Sequence, residues 1–549
     1  MTRTSTAPAP ASVSWDGLVA AALLGTERRT PPAAVRPGQD APSALLDAAA
    51  LSTVRRRAGL RPAAARPGPA PAPEDPRPAL PPAARDRLAV LLADRSAPGR
   101  SGPRSAPDLA ELLPQWLALA NQYGYRAPDA LLPTLLDAAR ARTDLRPEAL
   151  TLGGPRALWL ARLNPDWRFA LRGGPPGRGT APASEAGDGG AASDADAGDM
   201  RRQWEEGLFA ERVSLLARTR HRDPAAGLAL LNGTWSTERA EDRLMFLDSL
   251  RDDLAPSDEP FLEQALSDRS RNVRATAAEL LAALPHSAYA ARMAERSAAC
   301  VSLSPATGQI TIEAPTQCDS GMQRDGVVPK PPSGRGERSW WLSQLVEATP
   351  LACWSEWFGG LDADRIVTLP VADGWKGDLH AAWCRAAVRQ RSAEWSRALL
   401  GSPGAPPTAA GEPAAAAWRD PAKLLSALPA EERAQWVADF IASHGLSDAF
   451  RLLGVCAVPW AEPLGGAVVD ALDIARDAGS YPWSFSGIMG LAERCLDPAQ
   501  ADRLEVLTAL PDEPEGAAPG AGGYWSEAFQ RLVGTLRLRA AIRRELAEG

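Results

Sequence analysis

The residues of this chain best suited to bind a metal ion or act as nucleophiles are its cysteines and histidines. No two cysteines form a CxxC pair, and no histidine falls in an HExxH or HxxxH pattern. Those spacings bring ligands together within one helix or loop. Scattered thiols are typical of a reduced protein, so we expect neither a metal site nor a cofactor. The residues concerned are Cys300, Cys318, Cys353, Cys384, Cys456, Cys495, His221, His286, His380 and His444.

Other local patterns of catalysis are equally weak. The sequence has no GxxxxGK phosphate loop, no GxSxG nucleophile turn and no GxGxxG dinucleotide turn. Adjacent carboxylates such as Asp252 and Asp253, or Glu431 and Glu432, fall at predicted helix ends, where they complement the helix dipole. We expect no catalytic residues, and a hydrolase assembled from distant residues stays open as an alternative.

The elements that must position any site are most regular from Glu238 to Leu284, where three apolar faces recur at helical spacing. Pro256 and Ser257 separate the first two faces, and Ser257 is a predicted N-cap. Upstream, Asp223 is predicted to cap a further helix with Pro224 at its first position. The spacing therefore predicts short paired helices. Their apolar residues are Leu244, Leu247, Leu250, Leu254, Phe261, Leu262, Ala265, Leu266, Val273, Ala277, Leu280, Leu281 and Leu284.

This run resembles the HEAT-type repeat at Asp268, Val273, Arg274, Ala277 and Leu281. The resemblance implies that Asp268 and Arg274 bridge successive repeats while the apolar positions pack between paired helices. One repeat cannot bury its own face, so several must stack. We expect an all-α fold, a HEAT/armadillo-like α-α superhelix with a small β-hairpin insertion after the central repeats.

Composition changes along the chain predict its division into five parts. The hairpin is indicated by alternating apolar and polar residues at 301–304 and 309–313 around a four-residue turn. The tracts rich in Pro, Gly and Ala are the predicted linkers. The parts are 1–170, an N-terminal helical region with a Pro/Ala-rich linker; 171–200, a disordered linker; 201–300, the HEAT-like repeat core; 301–338, the hairpin and an irregular loop; and 339–549, a Trp-rich helical block.

Eighteen tryptophans stand beside only five tyrosines. At helical spacing they favour core packing between helices, and an aromatic groove for a partner peptide or a flipped base is the alternative. Trp340 and Trp341 are adjacent, about 100° apart around a helix, and cannot both enter one core stripe. We expect one of them to be exposed or to lie between two layers.

Five residues in or beside the loop that follows the hairpin are the candidate partner-binding residues. Loop residues have less packing to explain them than helix residues have. They are Arg324, Asp325, Lys330, Arg338 and Trp340.

Charge and composition limit the class of partner. The formal net charge is −7, and only Lys330, Lys376 and Lys423 are lysines. The arginine and alanine bias is typical of a high-GC bacterial genome of the actinobacterial type, so it reflects codon usage rather than phosphate binding. A slightly acidic chain lacks the basic stripe that nucleic acid requires. No segment approaches the roughly 20 apolar residues of a membrane span, and we expect a cytoplasmic protein.

A broader resemblance rests on WDGLV at 15–19, LLGTER at 23–28, RDG at 324–326, PKPP at 329–332 and GERSWWL at 336–342. With the repeat run, these segments are similar to an uncharacterised bacterial family known only as a domain of unknown function. The resemblance implies a genomic association with a MoxR-type AAA ATPase, a von Willebrand factor A domain protein and a SWIM zinc-finger protein, and it supplies no catalytic residues. We expect a non-enzymatic scaffold or adaptor for such a chaperone-like system. A HEAT-like nucleic-acid-binding protein or DNA glycosylase is the alternative from a different class.

Overall fold

The computed structural model describes residues 14–32, 35–58, 69–93, 106–172, 194–207, 209–404, 420–510 and 520–548. The chain is 69% helical, and the described residues contain a single two-stranded sheet, so the all-α prediction is confirmed. Two predicted linkers, 61–68 within the Pro/Ala-rich tract and 173–193 within the segment 171–200, lie outside the described residues.

The chain divides into two compact units, Met1–Ala72 and Pro73–Gly549. The first unit contains α1 (Trp15–Leu24) and α2 (Ala41–Arg57). Its buried core is small and consists of Leu18, Ala21 and Leu45. Asp40 caps α2 by accepting a hydrogen bond from the Ser43 amide at 3.0 Å, which satisfies one of the free amides of the first turn.

The second unit begins with a layer of leucine-rich helices. Leu112, Leu113, Trp116 and Leu117 show the pattern, because their spacing places them on one face, where all four are buried. The helices are α3 (Pro82–Ala93), α4 (Leu109–Gln122), α5 (Leu132–Ala141), α6 (Arg146–Leu163) and α7 (Phe169–Arg172).

The predicted repeat core 201–300 is a set of short helices. Asp223 caps α10 as predicted, with Pro224 at its first position. The predicted cap at Ser257 is wrong, because the N-cap residue of α12 is Asp258. The helices are α8 (Asp194–Glu206), α9 (Phe209–Arg222), α10 (Pro224–Thr234), α11 (Ala240–Asp248), α12 (Glu259–Ala265), α13 (Arg271–Ala282) and α14 (Ala288–Ala298).

Arginine and aspartate side chains link these helices from within. Arg220 of α9 donates to both oxygens of Asp258, at 3.0 and 2.7 Å, and both side chains are 0% exposed. Asp268 accepts from Arg243 of α11 at 3.0 Å. Arg274 instead donates to the backbone carbonyl of Asp268 at 2.7 Å. Asp268 is thus a strut between helices, whereas the predicted bridging role of Arg274 is wrong, because its neighbours in sequence, Asp268 and Arg269, in the turn just before α13, accept its hydrogen bonds.

The predicted hairpin is confirmed as β1 (Val301–Leu303) and β2 (Ile310–Ile312), an antiparallel pair in which Val301 faces Ile312. A five-residue helix, α15 (Ser320–Arg324), follows it. The buried side chains of Val301, Ile310 and Ile312 belong to a core shared with the helices that come next.

Tryptophan joins leucine as a large core residue in the following helices. Trp383 packs against Trp354 and Trp395, with ring centroids 5.6 and 5.3 Å away. This fills the space between helices as the core interpretation predicts. The helices are α16 (Glu337–Ala348), α17 (Leu351–Trp357), α18 (Ala363–Thr368), α19 (Lys376–Arg389), α20 (Ala393–Leu400) and α21 (Pro421–Ser426).

A last set of helices joins the two ends of the second unit. The final helix contributes Trp525 and Phe529 to the core of residues 425–536, and Ile542 and Leu546 to the core of the first layer. The hydroxyl of Tyr125 donates to the carbonyl of Leu546 at 2.9 Å. Residues 80–170 of the first predicted part therefore share a core with the end of the predicted block 339–549. The helices are α22 (Ala430–His444), α23 (Leu446–Leu453), α24 (Glu462–Asp477), α25 (Ser486–Cys495), α26 (Ala501–Leu504) and α27 (Ala521–Ala547).

Candidate functional site

Asp325, a predicted partner-binding residue, is inside the protein. Its side chain is 1% exposed and accepts from Arg292 at 2.9 Å and from Arg296 at 2.7 Å, both on α14. A carboxylate held by two guanidinium groups and closed to solvent cannot reach a partner. Asp325 therefore fixes the loop after α15 to the repeat core.

Trp340 and Arg338 also hold the loop in place. The indole of Trp340 donates to the carbonyl of Val328 at 2.8 Å, and that of Trp341 donates to Pro329 at 2.7 Å. Arg338 donates to the carbonyl of Ala314 at 2.6 Å. The two tryptophans thus bind successive loop residues, and both lie against the repeat core, Trp341 buried and Trp340 partly buried. These intramolecular contacts account for the positions of the three side chains.

Arg324 and Lys330 are exposed, and neither lines either of the two grooves described below. The same holds for Asp325, Arg338 and Trp340. The five predicted residues therefore line neither groove together. A concave candidate site lies in the groove between the repeat core and the Trp-rich block.

That groove, here called the cation-lined groove, encloses about 850 Å³. One wall comes from the repeat core, through the end of α13 and the turn that follows α11. The other wall is made by α16, α21 and the C-terminal turn of α19. The residues that line it are Arg251, Asp252, Leu254, Glu279, Leu280, Ala283, Leu284, Glu347, Cys384, Arg385, Val388, Arg389, Gln390, Arg391, Asp420, Lys423 and Leu424.

Ion pairs along the walls hold several of the charged groups in place. Arg251 donates to both oxygens of Glu279, at 3.0 and 2.9 Å. These hydrogen bonds raise the pKa of Arg251 above its ordinary value and lower the pKa of Glu279. A glutamate kept ionised in this way is a poor general acid at neutral pH, so this pair favours a binding role over acid catalysis.

The opposite wall repeats the arrangement with one carboxylate and two arginines. Arg385 lies 2.5 Å from Glu347, and Arg389, one turn further along α19, donates to the other oxygen of Glu347. Arg385 and Arg389 are four residues apart and so share one helix face. Glu347 holds both guanidinium groups along one edge of the groove.

Arg391 has the most informative backbone in the groove. Its φ is 51°, and among the described residues Asp373 is the only other non-glycine with a positive φ. Arg391 follows the end of α19, where the amide of Ser392 bonds the carbonyl of Ala387 at 3.0 Å. Glycine is common at such a helix end because a side chain is strained in the left-handed region. An arginine here is retained at a conformational cost.

The side chain of Arg391 is exposed in the groove, and no described carboxylate forms an ion pair with it. Lys423 on the facing α21 is 71% exposed, and its nearest carboxylate oxygen, on Asp420, is 3.7 Å away. Arg391 is therefore free to meet an external anion, and Lys423 is held only by this long contact, whereas Arg251, Arg385 and Arg389 donate hydrogen bonds to internal carboxylates. Among the described residues, no group of three His, Cys, Asp or Glu side chains could hold a metal ion.

The α19 residues of the groove escaped prediction because no motif marks them. Arg385 and Arg389 show the i, i+4 spacing of a polar stripe on a helix whose C-terminal half is otherwise apolar. One sequence feature could have indicated the groove: Arg391 occupies the end of a helix where glycine is more common. The tryptophans did not indicate either groove, because no tryptophan lines one. Among the described residues, Trp483 is the one exposed tryptophan.

Comparison with known proteins gives a family. Residues 17–546 match the model of a protein family described as a family of unknown function, DUF5691. The match spans nearly the whole chain, so the protein belongs to this family. No curated protein and no solved structure matches it. None of the described helices is long and apolar enough to cross a membrane.

Proposed function

We propose that this member of the DUF5691 family is a non-enzymatic scaffold that binds an acidic segment of a protein partner in the cation-lined groove. The observation that carries the proposal is Arg391, a strained, unpaired arginine that faces the groove. Backbone strain of about 1 kcal/mol is typical of residues that take part in a binding or catalytic site. Arg391 and Lys423 supply the charge, and Leu254 and Leu284 supply apolar contact.

A protein segment fits this groove better than nucleic acid does. The five cations of the lining stand beside four carboxylates, Asp252, Glu279, Glu347 and Asp420. A phosphate backbone needs several uncompensated cations in a row, and the net charge of −7 adds repulsion. A mixed lining suits a segment with a few carboxylates among neutral residues.

The proposed partner class comes from the family resemblance: a MoxR-type AAA ATPase or a von Willebrand factor A domain protein, in the bacterial cytoplasm. The proposed architecture is a HEAT-like superhelix. Support for it comes from the paired helices of residues 201–300 and the strut between Arg243 and Asp268. Stacked helix pairs commonly present extended binding surfaces.

Purification of the tagged chain at native expression level, followed by mass spectrometry, tests the partner class. The proposal expects an ATPase of the MoxR type or a von Willebrand factor A protein among the stoichiometric partners. Recovery of the chain without either protein would reject this partner class.

The three lysines then locate the binding face. Lys423 lines the groove, whereas Lys330 and Lys376 are exposed elsewhere. Acetylation of the complex and of the free chain, read by mass spectrometry, should show Lys423 protected by the partner and the other two unchanged. Protection of Lys330 with Lys423 still reactive would place the partner on the loop after the hairpin and overturn the groove assignment.

A further inference from the structure

A second groove, of opposite charge, lies in the C-terminal layer. It is formed mainly by α22, α23 and α24 and encloses about 940 Å³. Four carboxylates, of Asp439, Asp448, Glu462 and Asp470, stand among its lining residues, where Arg503 is the one arginine or lysine. We call it the acid-rimmed groove. It shares no lining residue with the cation-lined groove.

The carboxylates of the rim are incompletely neutralised from within. Arg503 lies 3.8 Å from Glu462 and 3.7 Å from Asp470, both long for an ion pair. Asp439 accepts a hydrogen bond from Gln435 at 2.9 Å. Asp448 is exposed and forms no ion pair with a described residue. Two carboxylates therefore face solvent without a cation.

The floor between these carboxylates is apolar and low. Ala467, Ala471 and Ala475 recur every four residues along α24, which places them on one face, and Ala438 and Ala442 line the groove from α22. Ile474 projects from the same helix and is 70% exposed. Side chains no larger than a methyl group allow another backbone to approach closely, and an exposed isoleucine offers it an apolar contact.

We propose that the acid-rimmed groove is a docking surface for a cationic amphipathic helix of a partner protein. The apolar face of that helix would rest on the alanines and Ile474, and its lysines or arginines would meet Asp439 and Asp448. Charge complementarity selects this occupant over an acidic or neutral one. The stretch of α24 from Gly466 to Asp477 rises about 17 Å, which matches a bound helix of about 12 residues. The proposal stands independently of the cation-lined groove.

A defined probe tests the charge preference. The probe is a fluorescent helix of about 15 leucines and lysines with the leucines at i, i+3, i+4 and i+7, and its matched control has glutamate in place of every lysine. In fluorescence anisotropy with the full chain, the lysine probe should bind and the glutamate probe should not. Binding should weaken as salt rises, because exposed charges are screened. Equal affinity for the two probes would overturn the proposal.

A matched pair of apolar substitutions tests the location. Ile474→Gln removes the contact within the groove, while Val506→Gln makes the same kind of change at a position that is 72% exposed and outside it. The first change should weaken the lysine probe about tenfold, and the second should leave it unchanged. Circular dichroism and the melting temperature establish that both variants fold. An equal effect of the two changes would mean that the probe binds elsewhere.

A second pair of substitutions distinguishes binding at the rim carboxylates from attraction to the overall charge of the protein. Asp448→Lys and Glu241→Lys alter net charge equally, but Glu241 is exposed at the start of α11 and lines neither groove. Asp448→Lys should weaken the probe about fivefold and Glu241→Lys much less. Equal losses would show attraction to overall charge and reject the site. Self-association of the chain that Ile474→Gln abolishes would identify a second copy as the occupant, which also overturns the proposal.

Discussion

Arg220 in the repeat core and Arg391 in the cation-lined groove are the same residue type in opposite environments. Arg220 is fully buried, donates to both oxygens of Asp258, and has an unstrained helical backbone. Arg391 is exposed, has no carboxylate partner among the described residues, and holds a left-handed backbone. The difference separates arginines that stabilise the fold from arginines available to a ligand. Neither the residue type nor its position in a repeat distinguishes these two kinds of arginine.

The largest expected effect on stability comes from breaking the buried ion pair of Arg220 and Asp258. Asp258→Ala leaves the guanidinium of Arg220 buried without its carboxylate, and we expect the free energy of unfolding to fall by about 3 to 5 kcal/mol. Urea denaturation followed by circular dichroism measures it. Asp248→Ala is the matched control, because Asp248 forms an exposed pair with Arg251 and should cost less than about 1 kcal/mol. Similar losses for the two variants would remove the distinction between the regions.

Asp325→Asn should have the next largest effect. Two arginines would lose their shared anion, and we expect a loss of about 2 to 3 kcal/mol in unfolding free energy. Affinity for the partner per folded molecule should be unchanged, because the side chain is closed to solvent. Unchanged stability together with lost binding would restore Asp325 as a contact residue.

The smallest effect belongs to Glu279, through its dependence on pH. Its pKa is lowered in the folded chain, so the stability it contributes is present above the ordinary value of 4.5 and is lost as pH falls through the folded value. Glu279→Gln should therefore lower the melting temperature slightly at pH 7, and the gap should close in acid. The change should stay below about 1 kcal/mol because the pair is partly exposed. A gap that widens in acid would contradict the assigned ion pair.

The sequence was sufficient to predict the secondary-structure elements and some of the residues at which they begin or end. Helical spacing predicted the all-α class, alternation predicted β1 and β2, and Asp223 with Pro224 predicted the start of α10. These features depend on neighbours along the chain. Long-range features escaped: the bond between Tyr125 and Leu546 joins residues far apart in sequence, and no local pattern reports such a contact.

The candidate site escaped for the same reason. Its walls come from the turn after α11, from α13 and α16, and from α19 and α21, which only the fold brings together. Position in or beside the loop did not reveal the contacts of Asp325 and Trp340, because ion pairs and indole hydrogen bonds with distant residues hold these side chains. Arg391 was visible as an arginine at a helix end, but its left-handed backbone was not.

The measurement that tests the central claim most directly compares Arg391→Gly with Asp373→Gly, the same backbone change at the other described non-glycine residue with a positive φ. Asp373 lies outside the groove. In both variants the unfolding free energy should stay within about 1 kcal/mol of the parent, because relief of strain offsets the greater freedom of unfolded glycine. Titration with the purified partner should give about tenfold weaker binding for Arg391→Gly alone, through the loss of a charge-assisted contact. Full binding by Arg391→Gly would contradict the assignment of the groove.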